Sequence, residues 1–262
     1  MQPCRVLTFN IAHGRGLSLY QGFTRPERLR RNLTKIAHMI DRLQPDVVAL
    51  QEVDEDSHWN DRLNLLEYIR VHANFPHAVM GVNTRRGGRK VLNYGNAILS
   101  RHPIVSHENV PFGNATLGEK GFLFAEIDLG GSHLLPLINL HLCFRSRENR
   151  LRQIDRLFDY VDHHYSRRGQ DWLVSSVYCG DLNNPSHRPD ATRSLRDRVA
   201  RHGEYSMHPA RGTFPSPFPM RALDFVFLPP ACREPTSEVV HVMLSDHRPV
   251  QVEFKLPGSR EH

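Results

Sequence analysis

The chain has 262 residues and a formal net charge of +6, from 34 lysines and arginines against 28 acidic residues. Hydrophobic residues at 39% and charged residues at 24% supply a sizeable core and exclude a disordered chain. No apolar run approaches the ~20 residues that span a bilayer, so a transmembrane segment is excluded as well.

Arg5 to Ile11 (RVLTFNI) reads as a buried strand. Met1 to Arg5 enters it at once, without the charged start and apolar run of a signal peptide. The expected location is therefore cytoplasmic, with a mature exported form left open. Pro26 to Leu43 carries Leu29, Leu33, Ile36, Ile40 and Leu43 on one helical stripe, with proline in its first turn. Pro45-Asp46 stops that helix and Val47 to Leu50 makes the next strand. A strand–helix–strand unit implies a parallel pair with a right-handed crossover.

The pattern then predicts a helix over Arg62–Ala73 and a short strand near Ala78–Gly81. Strands follow at Ala97–Leu99, Ile104–Val110, Phe122–Ile127 and Leu134–Leu140, at hairpin-like spacing. Arg147 to Tyr165 is helical, with Leu151, Ile154, Leu157, Phe158 and Val161 on one face. Leu173–Cys179, Leu223–Leu228, Val239–Val242 and Val250–Phe254 complete the strands. Thr213 to Pro219 reads as an ordered proline-rich loop crossing the molecule. With no repeat and no long linker, the expectation is one domain over 1–262, its core from about 4 to 256 and its tail frayed. Parallel units mixed with hairpins indicate an α/β (α+β) fold, a four-layer sandwich of two packed mixed β-sheets flanked by helices. The cysteines Cys4, Cys143, Cys179 and Cys232 form no CxxC pair. Zinc knuckles and a disulfide framework are poor readings, and Cys143 and Cys179 are expected as small core residues.

Polar residues that directly follow buried strands mark where sites form in α/β sheets. They are Asn10, Gln51-Glu52, His141, Asp181 with Asn183, and Ser245-Asp246-His247, joined by Asp224 inside the apolar run 223–227. Singly, each has an ordinary explanation as a turn residue, a cap or a satisfied core acid. Together they are the types that bind a hard cation and move protons.

At these positions the chain resembles the endonuclease/exonuclease/phosphatase superfamily, the fold of pancreatic-type deoxyribonuclease. The matching segments are Thr8-Phe9-Asn10, Ala49-Leu50-Gln51-Glu52-Val53, Tyr94 to Arg101 (YGNAILSR) and Asn139-Leu140-His141-Leu142. They continue with Gly180-Asp181-Leu182-Asn183, Leu223 to Phe227 (LDFVF) and Ser245 to Val250 (SDHRPV), in family order. The resemblance implies a phosphoesterase that uses Mg²⁺, with Mn²⁺ as a substitute, in metal-assisted attack by water. It implies Glu52 as the principal carboxylate ligand, supported by Asn10 and Asp246. Asp181 would hold and activate the water, with Asn183 fixing the water or a phosphate oxygen. His247, oriented by Asp224, would be a general base or a cationic clamp on the phosphate. His141 would bind phosphate. Asn96 stands where the deoxyribonuclease has a glutamate behind that histidine, and the resemblance makes it a candidate substrate-binding residue. Abasic-site repair fits poorly, because Ala12 and His141 depart from that branch's motifs. Asn10 to Gly14 and Arg150-x-x-Gln153 look closer to the sphingomyelinase-like and deadenylase-like branches.

His13 and Arg15, in a glycine-rich loop after Asn10, and Arg145 after His141 are candidate substrate contacts. Thr84 to Lys90 (TRRGGRK) is either a polyphosphate grip or a solvated hairpin tip. Tyr20, Phe23, Phe112, Phe214 and Phe218 offer aromatic groups in loops. The basic balance makes nucleic acid the first choice among phosphate-ester substrates, although scattered arginines fit a compositional bias equally well. The alternatives are a sphingomyelinase, phospholipase C-like or phosphatase activity, and a non-catalytic phosphate-ligand binding protein. No obligate protein partner is implied. A serine hydrolase is excluded by the lack of a GxSxG elbow.

Overall fold

A computed structural model describes residues 2–20, 24–113, 118–130, 134–184 and 189–257. Phe23 and the expected frayed tail beyond 257 lie outside the described residues.

Strand β1 (Gln2–Asn10) pairs in parallel with β2 (Val47–Ser57), and helix α1 (Pro26–Leu43) bridges them, as the strand–helix–strand reading expects. Two-residue alternation divides the apolar residues between two faces. Val6, Val47 and Ala49 point to the interior between the sheets. Leu7, Val48 and Leu50 point outward against Leu33, Ile36 and Ile40 of α1. The first sheet is completed by β3 (His77–Arg86), β4 (Leu92–Ser100), β11 (Arg233–Val239) and β12 (Val250–Leu256), in the order β11-β12-β1-β2-β4-β3.

The second sheet runs β5-β6-β7-β8-β10-β9. Its strands are β5 (Ile104–Pro111), β6 (Gly121–Asp128), β7 (Leu134–His141), β8 (Val177–Asp181), β9 (Ser206–His208) and β10 (Asp224–Leu228). It too holds one parallel pair, β7 with β8. Leu123, Leu137, Cys179 and Val226 face the first sheet. Phe124, Ile138, Tyr178 and Phe225 face helices α3 (Arg147–Arg168) and α4 (Ala191–Val199). Helix, sheet, sheet and helix make four layers. Among the described residues no helix is long and apolar enough to cross a membrane.

Several boundaries differ from expectation. Helix α2 (Leu65–His72) starts three residues late, because Asp61 and Arg62 take left-handed backbone and Asn64 caps the helix by accepting from Glu67 N at 2.9 Å. Strand β8 starts at Val177 rather than Leu173, and β11 lies upstream of Val239–Val242. Strand β3 extends through Arg86, so the first three residues of the basic loop belong to a strand. Helix α4 and β9 were not expected. In α4 only Ala191, Leu195 and Val199 are buried apolar residues, and its cap, Asp190, is held by the distant Arg150. Cys179 is a core residue, but Cys143 is only half-buried.

Candidate active site

The two parallel pairs end side by side: Asn10 pairs with Gln51 in one sheet, and His141 with Asp181 in the other. A buried amide network locks the ends together. Gln51 Nε2 donates to Asn139 Oδ1 at 2.7 Å, and Asn139 Nδ2 donates to the carbonyls of Leu50 and Ala97. Asn96 Nδ2 donates to the carbonyls of Gly121 and Asn139. Asn96 is therefore wholly buried behind His141, whose strand neighbour is Gly121, and away from any surface that a substrate reaches.

Glu52 reaches the site through a β-bulge. The pairing of β2 with β4 shifts between Gln51 and Val53, and Glu52 takes φ of 55°. Regular alternation would turn Glu52 toward the helices, since Gln51 points between the sheets. The extra residue re-aims it. Lys120 Nζ donates to Glu52 Oε1 at 3.1 Å, and His13 Nε2 lies 3.6 Å from Oε2. Burial pushes the Glu52 carboxyl up. Lys120, His13 and His141 outweigh burial and hold it well below the usual carboxylate range. His13 is buried against Trp59 and Tyr94, with Nδ1 3.0 Å from Asp54 Oδ2. Burial lowers its proton affinity, but Asp54 and Glu52 together raise it above the ordinary histidine value.

Asp181 is the hub. The turn that presents it needs Gly180, at φ of 132°, where a Cβ would stand 2.0 Å from the Leu140 carbonyl. Asp181 Oδ1 accepts from Asn183 N at 2.8 Å, and Oδ2 from Asn10 Nδ2 at 3.0 Å. His141 Nε2 and His247 Nε2 lie 3.5 and 3.8 Å from Oδ2. Burial raises the Asp181 carboxyl to about 7, against the pull of His247. Asn183 also donates from Nδ2 to the Leu142 carbonyl at 2.9 Å, which fixes its turn.

His247 Nδ1 lies 2.9 Å from Asp224 Oδ2, and that oxygen accepts from Thr213 Oγ1 at 2.5 Å. Burial opposes charge on this ring, but Asp224 and then Asp181 raise it to about 10. His247 is therefore a cation at neutral pH. Burial, and then the Lys120 ammonium 3.4 Å from Nδ1, lower His141 well below the ordinary histidine range. The site thus holds one charged and one neutral histidine on either side of one carboxyl.

The loop 213–221 bends back on itself, with Phe214 bridged to Arg221, and docks on the histidine segment through Ser216 N to the Asp246 carbonyl. Phe214 packs 4.9 Å from the His247 ring, whereas Phe218 is exposed. Asp246 accepts from Arg15 Nη2 at 2.6 Å. Arg145 is exposed, its guanidinium over the Phe144 ring.

Lys120, Asp54 and Thr213 were not singled out from sequence. Lys120 belongs to no motif segment, and only the pairing of β6 with β7 brings it to His141. Asp54 lies two residues after Glu52, a spacing whose meaning depends on the bulge.

A divalent cation fits part of this donor set. Glu52, Asp181 and Asp246 offer the oxygen ligands that a hard ion prefers. Asp181, Asp224 and His247 also gather ligand atoms within 4.8 Å of one another. There Asp224 and His247 Nδ1 pair with each other, as Glu52 pairs with Lys120 and Asp246 with Arg15. Asn10 spends Oδ1 on Ala12 N and Nδ2 on Asp181, which makes it a brace for the carboxylate.

The endonuclease/exonuclease/phosphatase family profile matches residues 7–247. The chain belongs to the endonuclease/exonuclease/phosphatase family. Proteins of this family generally hydrolyse phosphoester bonds. Within the family, the chain is 28% identical to the uncharacterised protein YbhP of Escherichia coli strain K12, over 96% of both chains. Its fold is similar to an endonuclease/exonuclease/phosphatase from Beutenbergia cavernae, with TM-score 0.73 and 22% identity over 99% of this chain and 73% of that one. It is also similar to sphingomyelinase C of Streptomyces griseocarneus, with TM-score 0.68 and 19% identity over 97% of this chain and 99% of the other.

Proposed function

We propose that this family member is a Mg²⁺-dependent phosphodiesterase, with Mn²⁺ able to substitute and nucleic acid the favoured substrate. One observation carries the reading: the buried Asp181 carboxyl lies 3.5 and 3.8 Å from the Nε2 atoms of His141 and His247, with Glu52 Oε1 4.0 Å from the first of these rings. Phosphodiester hydrolysis needs a proton acceptor for water, positive charge on the phosphate oxygens and a fixed geometry.

Asp181 suits the first task, since a base poised near neutral pH accepts a proton and can return it. Asn10 and the Asn183 backbone hold its two oxygens in place. His247, charged and tied to Asp224 through Nδ1, presents Nε2–H to a phosphate oxygen as a clamp rather than as a base. His141, neutral, donates one further hydrogen bond. A divalent ion, when bound, supplies charge on the phosphate oxygens, and Glu52 with Asp246 would hold it. A lipid-headgroup ester is a second reading, favoured by the exposed Phe218 and Met220 on the loop that docks against His247.

The test is turnover with Mg²⁺ or Mn²⁺ on single- and double-stranded DNA, RNA, sphingomyelin vesicles and bis-p-nitrophenyl phosphate, beside D181N and H247Q variants. Metal-dependent hydrolysis lost in both variants is expected, fastest on nucleic acid. Full activity in D181N would refute the proposed roles, and fastest turnover of sphingomyelin would select the second reading.

A further inference from the structure

A cavity of about 360 Å³ opens beside the site, lined by Arg15, Arg28, Arg31, Asn32, Lys35 and Met243 among others. Two of its lining segments are joined to residues of the candidate site. Arg15 sits on the loop that follows Asn10 and pairs with Asp246. Met243 lies on the segment leading into Ser245, Asp246 and His247. Asn32 Nδ2 staples the two segments by donating to the Gly14 carbonyl at 3.0 Å and the Leu244 carbonyl at 2.9 Å.

Arg28, Arg31 and Lys35 share one face of α1, spaced by three and four residues. Like charges at that spacing weaken a helix unless something neutralises them. Among the described residues no carboxylate lines the cavity and none forms an ion pair with these three side chains. Arg15 spends Nη2 on Asp246 and Nη1 on the Ser18 carbonyl, while its buried Nε has no partner among the described residues. Three cations with no ion pair among the described residues therefore line one concave space, and Arg15, through Asp246, ties that space to the candidate site.

We infer that this cavity is a subsite for a second phosphate group of the substrate, so that the chain acts on compounds carrying two phosphates a short linker apart. Resting on the phosphodiesterase reading above, it narrows the substrate class. The neighbouring phosphate of a polynucleotide and the second phosphate of a small bisphosphate offer the same chemistry, a tetrahedral anion that arginine forks grip bidentately.

The test is calorimetric binding in Mg²⁺ buffer of thymidine 3′,5′-bisphosphate against thymidine 5′-monophosphate, and of propane-1,3-diol bisphosphate against propyl phosphate. Wild-type protein and the R28Q/R31Q/K35Q variant are compared, with circular dichroism to confirm folding. The expected result is a preference for the bisphosphate of at least about tenfold, equivalent to ~1.4 kcal/mol, that collapses in the variant and shrinks as salt rises. A preference in the thymidine pair alone assigns the subsite to nucleic acid, and one in both pairs to any bisphosphate. Equal affinities in the wild type, or a preference that survives the triple substitution, would overturn the inference. Hydrolysis of bis-p-nitrophenyl phosphate by the wild type, measured in parallel, reports on the parent reading. Its failure with the preference intact sinks the phosphodiesterase and leaves the subsite standing.

Discussion

Replacing Asp224 with asparagine tests whether one buried carboxylate keeps His247 charged. The substitution preserves shape and leaves an oxygen for Thr213, but it removes the charge 2.9 Å from Nδ1. His247 rises from an ordinary 6.5 to about 10, with Asp224 the leading favourable cause and Asp181 the next. At ~1.4 kcal/mol per tenfold change in proton affinity, that rise is worth roughly 5 kcal/mol. Removing one partner of a buried pair costs ~3–5 kcal/mol, so D224N should lose roughly 3 kcal/mol near pH 6. The sign follows from a raised value: the pair's stabilisation is fully present below pH 6.5 and lost as pH rises through about 10. Urea unfolding of both proteins at pH 6 and pH 10 should therefore show a gap that narrows at the higher pH. Ring-proton NMR should find His247 of D224N titrating at or below 6.5, and turnover should fall by ~10²–10⁴. A ring that still titrates near 10 in D224N would refute this electrostatic account, as would an equal stability gap at both pH values.

Gly180→Ala should destabilise the fold by roughly 3 kcal/mol or more, since both the positive φ and the Leu140 carbonyl oppose a Cβ, and wild-type urea stability would contradict this. Mg²⁺ should raise the melting temperature of the wild type and Glu52→Gln should abolish that rise, whereas an undiminished shift would place the ion elsewhere. Lys120→Met removes a cation from Glu52 and from His141, so Mg²⁺ should bind about tenfold more tightly by calorimetry and the His141 ring should titrate at higher pH. In the wild type, kcat/KM should climb as pH rises to about 7, the range in which Asp181 ionises, and the climb should move to lower pH as Mg²⁺ increases. A rate independent of pH between 5 and 8 would exclude Asp181 as the base.

Much of the fold is local information. The apolar stripe from Leu29 to Leu43, with Pro26 before it and Pro45-Asp46 after it, is enough to place α1. The alternation in Val47 to Leu50 divides inner from outer faces because side chains on a strand alternate whatever it pairs with. The motif residues were legible for a related reason: polar groups directly after apolar runs stand where strands leave the core. What local sequence does not carry is direction. Glu52 points into the site only because β2 bulges against β4, and a bulge is a property of the pair. Asn96 turns inward to the amide network because Asn139 comes from the facing sheet. Lys120 meets Glu52 across 68 residues, and Arg15 meets Asp246 across 231. Whether His141 is neutral and His247 charged likewise depends on which groups the fold packs against each ring. Burial acts on both rings alike, so the difference arises from Lys120 beside one and Asp224 beside the other. The chemical types in the site are thus written along the chain, while their charge states and aim arise from contacts between residues far apart in it.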